Sequence, residues 1–201
     1  MSTKPPFREL LAPRLSGTTL DLLVLYAELL EHWSARHNLV RVANRRELVE
    51  RHILDSLEAS PLPSGGGLLL DVGSGAGLPG VPLLVANGGW EGVLLEPRQK
   101  RWAFLRLVIR ELGLNAHAER TRYQDLGVGR SWNLITLRAV GGYGEFLRWA
   151  RGALALGGEV LIWATTDTQQ ELESSAGWRV LSSPLSGLDR GRLVRLQPCF
   201  T

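Results

Sequence analysis

The stretch LLLDVGSGAGLPGVP, Leu68 to Pro82, ends an apolar run in an acid and then places four glycines, Gly73, Gly75, Gly77 and Gly80, within eight residues. Glycines spaced this way after a buried strand let backbone N–H groups approach a polar ligand with no side chain in the way. A second apolar run, GVLLEP, ends in Glu96, nineteen residues beyond Gly77. A carboxylate at that strand end can accept both hydroxyls of a ribose.

Three ligand classes use such a turn. A nucleoside triphosphate loop closes on Gly-Lys-Ser/Thr, and no lysine lies between Lys4 and Lys100. The dinucleotide pattern GxGxxG is formally present from Gly75 to Gly80, but it begins two residues late relative to the strand. S-adenosylmethionine (SAM) fits better, because its sites pair an acid near the strand end with alternating glycines, here Asp71, Gly73, Gly75 and Gly77. The methionine end of SAM bears a carboxylate and an ammonium, so it calls for backbone donors and a nearby negative charge, which Asp71 supplies directly or through water. The competing readings make Asp71 a cap for the loop and Glu96 a solvated strand end.

The loop requires a strand before it and a helix after it, and the chain supplies both. From Leu68 onward, LLLDV, GVLLEP, AHAER, WNLITLRAV and GEVLIWA alternate with helical stretches: one after Pro79, then RQKRWAFLRLVIREL and EFLRWARGAL. Such alternation predicts a mostly parallel sheet covered by helices on both faces. WRVLSSP and GRLVRLQP, with little between them, predict an antiparallel hairpin at the sheet edge. In the helix from Gln99, Trp102, Leu105, Ile109 and Leu112 form the expected buried stripe, and Lys100, Arg101, Arg106 and Arg110 the solvated face. Upstream, TLDLLVLYAELLEHWSARHNLV spaces Leu22, Leu25, Leu29, Leu30 and Trp33 as an amphipathic helix, and RRELVERHILDSL reads as a second helix with Leu48, Ile53, Leu54 and Leu57 inward. SPLPSGGG then breaks the helix. The expected organisation is a helical cap over residues 1–64 and a ligand-binding core over 65–201.

Composition sets the outer bounds. The 201 residues are 44% hydrophobic and 21% charged, enough for one domain with a sizeable core. The net charge of +3 tolerates a polyanionic partner without demanding one. Nearly all the positive charge is arginine, whose planar fork suits phosphate and whose face stacks on bases, although an arginine-favouring genome would give the same bias. The single Cys199 excludes an internal disulfide framework, and four scattered histidines give no zinc-ligand spacing, so no metal is expected. His52 and Asp55 lie three apart on one helical face, without a third ligand, and read as structural or site-wall residues. No signal peptide or membrane-length apolar run is visible, which predicts a cytoplasmic protein that does not engage a membrane.

RHILDSL, LLLDVGSGAGLPGVPLL, LLEPRQKRWAFLR and NLITLRAV, in this order and spacing, resemble the RsmG/GidB family of 16S ribosomal RNA guanine N7 methyltransferases. The resemblance runs from about His37 to the GEVLIWA segment. It implies a class I SAM-dependent methyltransferase fold, α/β and Rossmann-like, and an enzyme that uses SAM and releases S-adenosylhomocysteine. It also implies cofactor contacts at Gly73 and Leu78 in the loop, Glu96 at the ribose, Tyr123 and Gln124 near the adenine, and Arg138 after the fourth strand. The partner implied is 16S rRNA or the small ribosomal subunit, met by a monomer. Two positions depart from the family: Tyr123 and Gln124 stand where a small residue and an acid are common, and Trp163 and Ala164 where a lysine is common, so any RNA contact of that lysine is either lost or taken over by a nearby arginine.

The chemistry can be checked without the resemblance. No Asn/Asp-Pro-Pro-aromatic turn for an adenine amine follows the fourth strand, Cys199 is badly placed as a cytosine nucleophile, and a two-lysine ribose methyltransferase would have to recruit Lys4. Guanine N7 has an in-plane lone pair and no proton to lose, so its methylation needs alignment and desolvation rather than a general base. No catalytic residue is therefore assigned, with Arg138 the one candidate, facing either the cofactor's carboxylate or an RNA phosphate, or else paired with an acid such as Glu145. Arg98 and Lys100, beside the cofactor turn, are candidate phosphate contacts. Two other readings stay open on the residues alone: a methyltransferase for another RNA or a small molecule, and a non-catalytic SAM-binding module that docks on ribosomes.

Overall fold

The structure is a computed structural model that describes residues 5–126, 131–138, 141–186 and 190–199. Lys4, and Ala139 and Val140 of the expected fourth strand, lie outside the described residues. The elements run α1 (Phe7–Leu11), α2 (Gly17–His37), α3 (Arg45–Leu48), a π-turn (Val49–Leu54), β1 (Gly67–Val72), α4 (Gly80–Ala86), β2 (Trp90–Leu95), α5 (Gln99–Leu112), β3 (Ala116–Glu119), β4 (Trp132–Arg138), α6 (Tyr143–Ala153), β5 (Leu154–Thr165), α7 (Thr166–Glu173), β6 (Trp178–Pro184) and β7 (Gly191–Pro198).

The strands form one sheet in the order β3-β2-β1-β4-β5-β7-β6. The first five are parallel, while β7 enters antiparallel between β5 and β6, which makes the expected hairpin. The chain moves outward from β1 through β2 and β3, then returns to place β4 on the other side of β1. Such a reversal opens a crevice at the carboxyl ends of β1 and β4, where open α/β sheets bind ligands.

Continuous apolar strands form here because both faces are covered. Leu69, Leu94, Leu134 and Leu161 pack on one side with α2, α4 and α5. Their neighbours Leu70, Leu95, Ile135 and Ile162 pack on the other side, against Phe146 and Leu147 of α6 and Leu172 of α7. That division follows from the two-residue period of a strand.

The amino-terminal segment joins the first of these layers. Phe7 and Leu11 of α1 and Leu20, Leu23, Tyr26, Ala27 and Leu30 of α2 are buried in it. The inward face of α2 is therefore rotated from the expected one: of the five residues expected there only Leu30 is fully buried, and Leu22, Leu25, Leu29 and Trp33 are half-buried at its margins. In α5 the buried stripe is Phe104, Leu105, Val108 and Leu112, with Trp102 and Ile109 half-buried beside it. The second helix is not continuous. Asn44 caps α3 by accepting the Glu47 N–H at 2.9 Å, while Glu47 accepts the Ala43 N–H at 2.6 Å, and the chain then winds into the π-turn. Helix α7, absent from the sequence reading, is started by Thr165 accepting the Thr168 N–H and buries only Leu172. No helix among the described residues is long and apolar enough to cross a membrane.

Candidate active site at the carboxyl ends of the central strands

The glycine loop is tied to the neighbouring strand before it meets any ligand. The Ser74 N–H donates to Leu95 C=O at 2.8 Å, and the Ser74 hydroxyl to Asp71 C=O at 2.9 Å. Tyr26 reaches over from α2, its hydroxyl donating to Ala76 C=O at 2.8 Å. Burial first, and the charge of Asp71 second, hold the Tyr26 phenol well above its ordinary pKa, so it remains a donor.

The four glycines divide into two jobs. At Gly77 a Cβ would stand 2.6 Å from Val81 Cγ2, and at Gly80 2.7 Å from Asp71 Oδ2, so these two let the loop and helix pack closely. Gly73 and Gly75 line a cavity of about 680 Å³ together with Leu78. Both have positive φ, +69° and +57°.

Glu96 closes the floor. It is 3% exposed, and its two oxygens accept the Gly75 N–H at 3.1 Å and the Arg98 N–H at 2.8 Å. One carboxylate thus holds the glycine loop and the β2 turn at a fixed separation, each oxygen keeping a lone pair. Arg101 Nη1 stands 4.0 Å from Glu96 and also lines the cavity, so this arginine belongs to the site wall rather than to the solvated face expected from sequence.

Asp71 sits behind the loop. It is 1% exposed and does not line the cavity, nor does Gly77. Its oxygens accept the Thr136 hydroxyl at 2.7 Å and the Gly80 N–H at 3.2 Å, which matches the loop-capping reading of this acid. Burial raises its pKa to about 6, against the pull of those hydrogen bonds.

Of the remaining residues expected at the site, Arg98, Tyr123, Gln124 and Arg138 line the cavity, and exposed Lys100 does not. Tyr123 is 8% exposed and packs edge-on to Phe146, ring centroids 5.4 Å apart, which leaves exposed Gln124 at the rim. Arg138, the last residue of β4, donates from Nη2 to Arg51 C=O at 2.7 Å. Its Nη1 is shut off from solvent and has no hydrogen-bond partner among the described residues. Its partner is thus a backbone carbonyl of the π-turn, not Glu145, and burial lowers its pKa against the opposing charge of Asp55. From the same segment His52 lines the cavity, its pKa lowered to about 4 by burial first and then by Arg138, which keeps the imidazole neutral at pH 7. Leu39 and Val40, which follow α2, complete the wall and were not singled out from sequence.

The family model described as rRNA small subunit methyltransferase G matches residues 19–182. The chain belongs to this GidB family. It is 36% identical over 181 residues to the ribosomal RNA small subunit methyltransferase G of Laribacter hongkongensis, covering 87% of each chain. To that of Chromobacterium violaceum it is 33% identical over 192 residues, 92% of each. Among solved structures, this GidB protein superposes on the DhpI–SAH complex with a TM-score of 0.63 at 16% identity, over 92% of this chain and 98% of that one. A methyltransferase from Geobacter sulfurreducens gives 0.65 at 13% identity, over 87% and 88%. The fold is that of the class I SAM-dependent methyltransferases, as the sequence resemblance implied.

Proposed function

We propose that this GidB protein transfers the methyl group of SAM to N7 of a guanine in a loop of 16S rRNA. The observation that carries the reading is Glu96, a nearly buried carboxylate at the carboxyl end of β2 in a GidB chain, bonded to the Gly75 amide of the loop that follows β1. The residues fit the cofactor. Glu96 has lone pairs left for the ribose hydroxyls, Gly73 and Gly75 offer backbone without intervening side chains, Leu78 stands beside them, and Tyr123 and Gln124 wall the adenine end. The buried, unpartnered Nη1 of Arg138 suits a carboxylate such as that of the methionine end. Asp71 acts at one remove, by fixing the loop. When bound, SAM supplies an electrophilic methyl carried on a sulfonium.

The guanine needs no base to deprotonate it, so the task of the cavity is to hold its N7 in line and to exclude water. Leu39 and Val40 give an apolar wall for a base taken out of its stack, and neutral His52 adds no charge that would compete with the sulfonium. A loop guanine suits this arrangement better than one in a duplex, where the edges of the bases are hard to read. Arg98 and Arg122, exposed at the mouth, are placed for the flanking phosphates.

The test is to incubate the purified chain with methyl-labelled SAM and 16S rRNA or small subunits, digest the RNA and identify the labelled nucleoside. Label in N7-methylguanosine is expected. Label in any other nucleoside, or SAM binding with no transfer to either substrate, would overturn the reading.

A further inference from the structure

The π-turn is joined to the strand ends beneath it in a way that the cofactor reading does not require. In an α-helix the Asp55 N–H would donate to Arg51 C=O. Here it donates to His52 C=O, and the Arg51 carbonyl accepts Arg138 Nη2 at 2.7 Å instead. Four residues further on, Asp55 C=O accepts Trp163 Nε1 at 2.7 Å. Arg138 and Trp163 are register partners on β4 and β5, side by side near the carboxyl ends of those strands. Two adjacent strands therefore hold one turn of the cap by carbonyls four positions apart, which lie on the same face of a helical segment. Trp163 is 5% exposed and does not line the cavity.

We infer that Trp163 is a positioning residue for the SAM site: its indole N–H fixes the Arg51–Asp55 turn, and that turn fixes the guanidinium of Arg138 at the cavity wall. The inference rests on the proposal that Arg138 meets the cofactor. The geometry has a direct consequence. A guanidinium held at one end by a fixed carbonyl loses fewer conformations when its other nitrogen takes a ligand, so the anchor adds to affinity without touching the ligand. By linkage, whatever ordering of the turn does for the cofactor, the cofactor must do for the turn.

The test compares Trp163→Phe with Trp90→Phe. Trp90 is also 5% exposed and donates its indole N–H to a backbone carbonyl, that of Pro63, but it opens β2 at the other end of the sheet. Calorimetric titration of the full chain with SAM is expected to show Trp163→Phe about three- to tenfold weaker than wild type, the scale of one buried hydrogen bond, and Trp90→Phe within about twofold. In an Arg138→Lys background, where the fork that reaches the carbonyl is gone, Trp163→Phe should add no further loss. A second measurement leaves Trp163 intact: amide exchange across residues 49–57 should slow when SAM binds the wild-type chain and not when it binds Arg138→Lys. Equal losses in the two tryptophan variants, an unchanged Trp163→Phe affinity, independent losses in the double variant, or exchange across 49–57 that ignores SAM would each overturn the inference. A wild-type chain that binds no SAM would refute the cofactor reading itself, and the inference with it.

Discussion

Replacing Asp71 by asparagine separates a loop-holding acid from a cofactor-binding one. The carboxylate accepts from Thr136 Oγ1 at 2.7 Å and from the Gly80 N–H at 3.2 Å. A carboxamide keeps both contacts: its oxygen accepts the Gly80 N–H and its nitrogen donates to Thr136 Oγ1, whose proton turns to Leu70 C=O, 3.4 Å away. What the variant loses is the charge. Burial raises the Asp71 pKa from 3.8 to about 6, so the folded chain holds its proton where the unfolded chain has released it. The stability contributed by this group is full below about pH 4 and is lost as pH rises through about 6. The gap between those two values corresponds to about 3 kcal/mol. Asp71→Asn should therefore gain on wild type by up to about 3 kcal/mol between pH 4 and pH 7. His52, whose lowered pKa of about 4 contributes stability that is full above its ordinary value of 6.5 and lost as pH falls towards 4, acts alike in both proteins and cancels in the difference. Urea unfolding of both chains across that range reads the effect, with SAM affinity measured beside it and expected to fall less than threefold. Parallel stability curves would refute the burial argument, and a large loss of SAM affinity in a stable variant would put Asp71 back in contact with the ligand.

At Gly75 an alanine must adopt a φ of +57° but meets only ordinary contacts, so Gly75→Ala should fold with a cost of roughly 1 to 2 kcal/mol and bind SAM more weakly by calorimetry. Gly77→Ala sets a Cβ 2.6 Å from Val81 Cγ2 and should lower the melting temperature more than Gly75→Ala does. Glu96→Gln leaves one of two backbone amides without its acceptor and removes the charge proposed to meet the ribose, and SAM affinity should fall by roughly 1 to 3 kcal/mol while RNA affinity is unmoved. Arg98→Gln with Arg122→Gln should flatten the dependence of RNA binding on salt, by about 1.4 in the log–log slope if each contacts one phosphate of a single strand, and leave SAM affinity unchanged.

The sheet and the crevice at the carboxyl ends of its central strands could be read from the sequence because both faces of the strands are buried, which turns them into apolar runs cut by glycine, proline and acid. The glycine turn after β1 and the acid that ends the β2 run were visible as residue types and spacing. The inner face of α2 did not, because leucines surround that helix and the period that selects a side is blurred. Helix α7 offers one buried leucine in a polar run, so it carries no apolar period. The role of Arg101 depends on Glu96 lying beside the start of α5, a contact that only the folded chain makes. The partner of Arg138 was hidden for a deeper reason: it is a backbone carbonyl, freed by a π-turn within a stretch whose composition reads as ordinary helix, and no residue type marks such an acceptor.

Mapping methylated guanines in small-subunit rRNA from cells with and without this gene, by a cleavage chemistry selective for N7-methylguanosine, reads the proposed reaction in the cell. One cleavage site, at a guanine in a loop, is expected to be present in the first and lost in the second, and restored by the wild-type gene but not by one encoding Glu96→Gln together with Arg138→Ala. An identical set of N7-methylated guanines in both strains would contradict it.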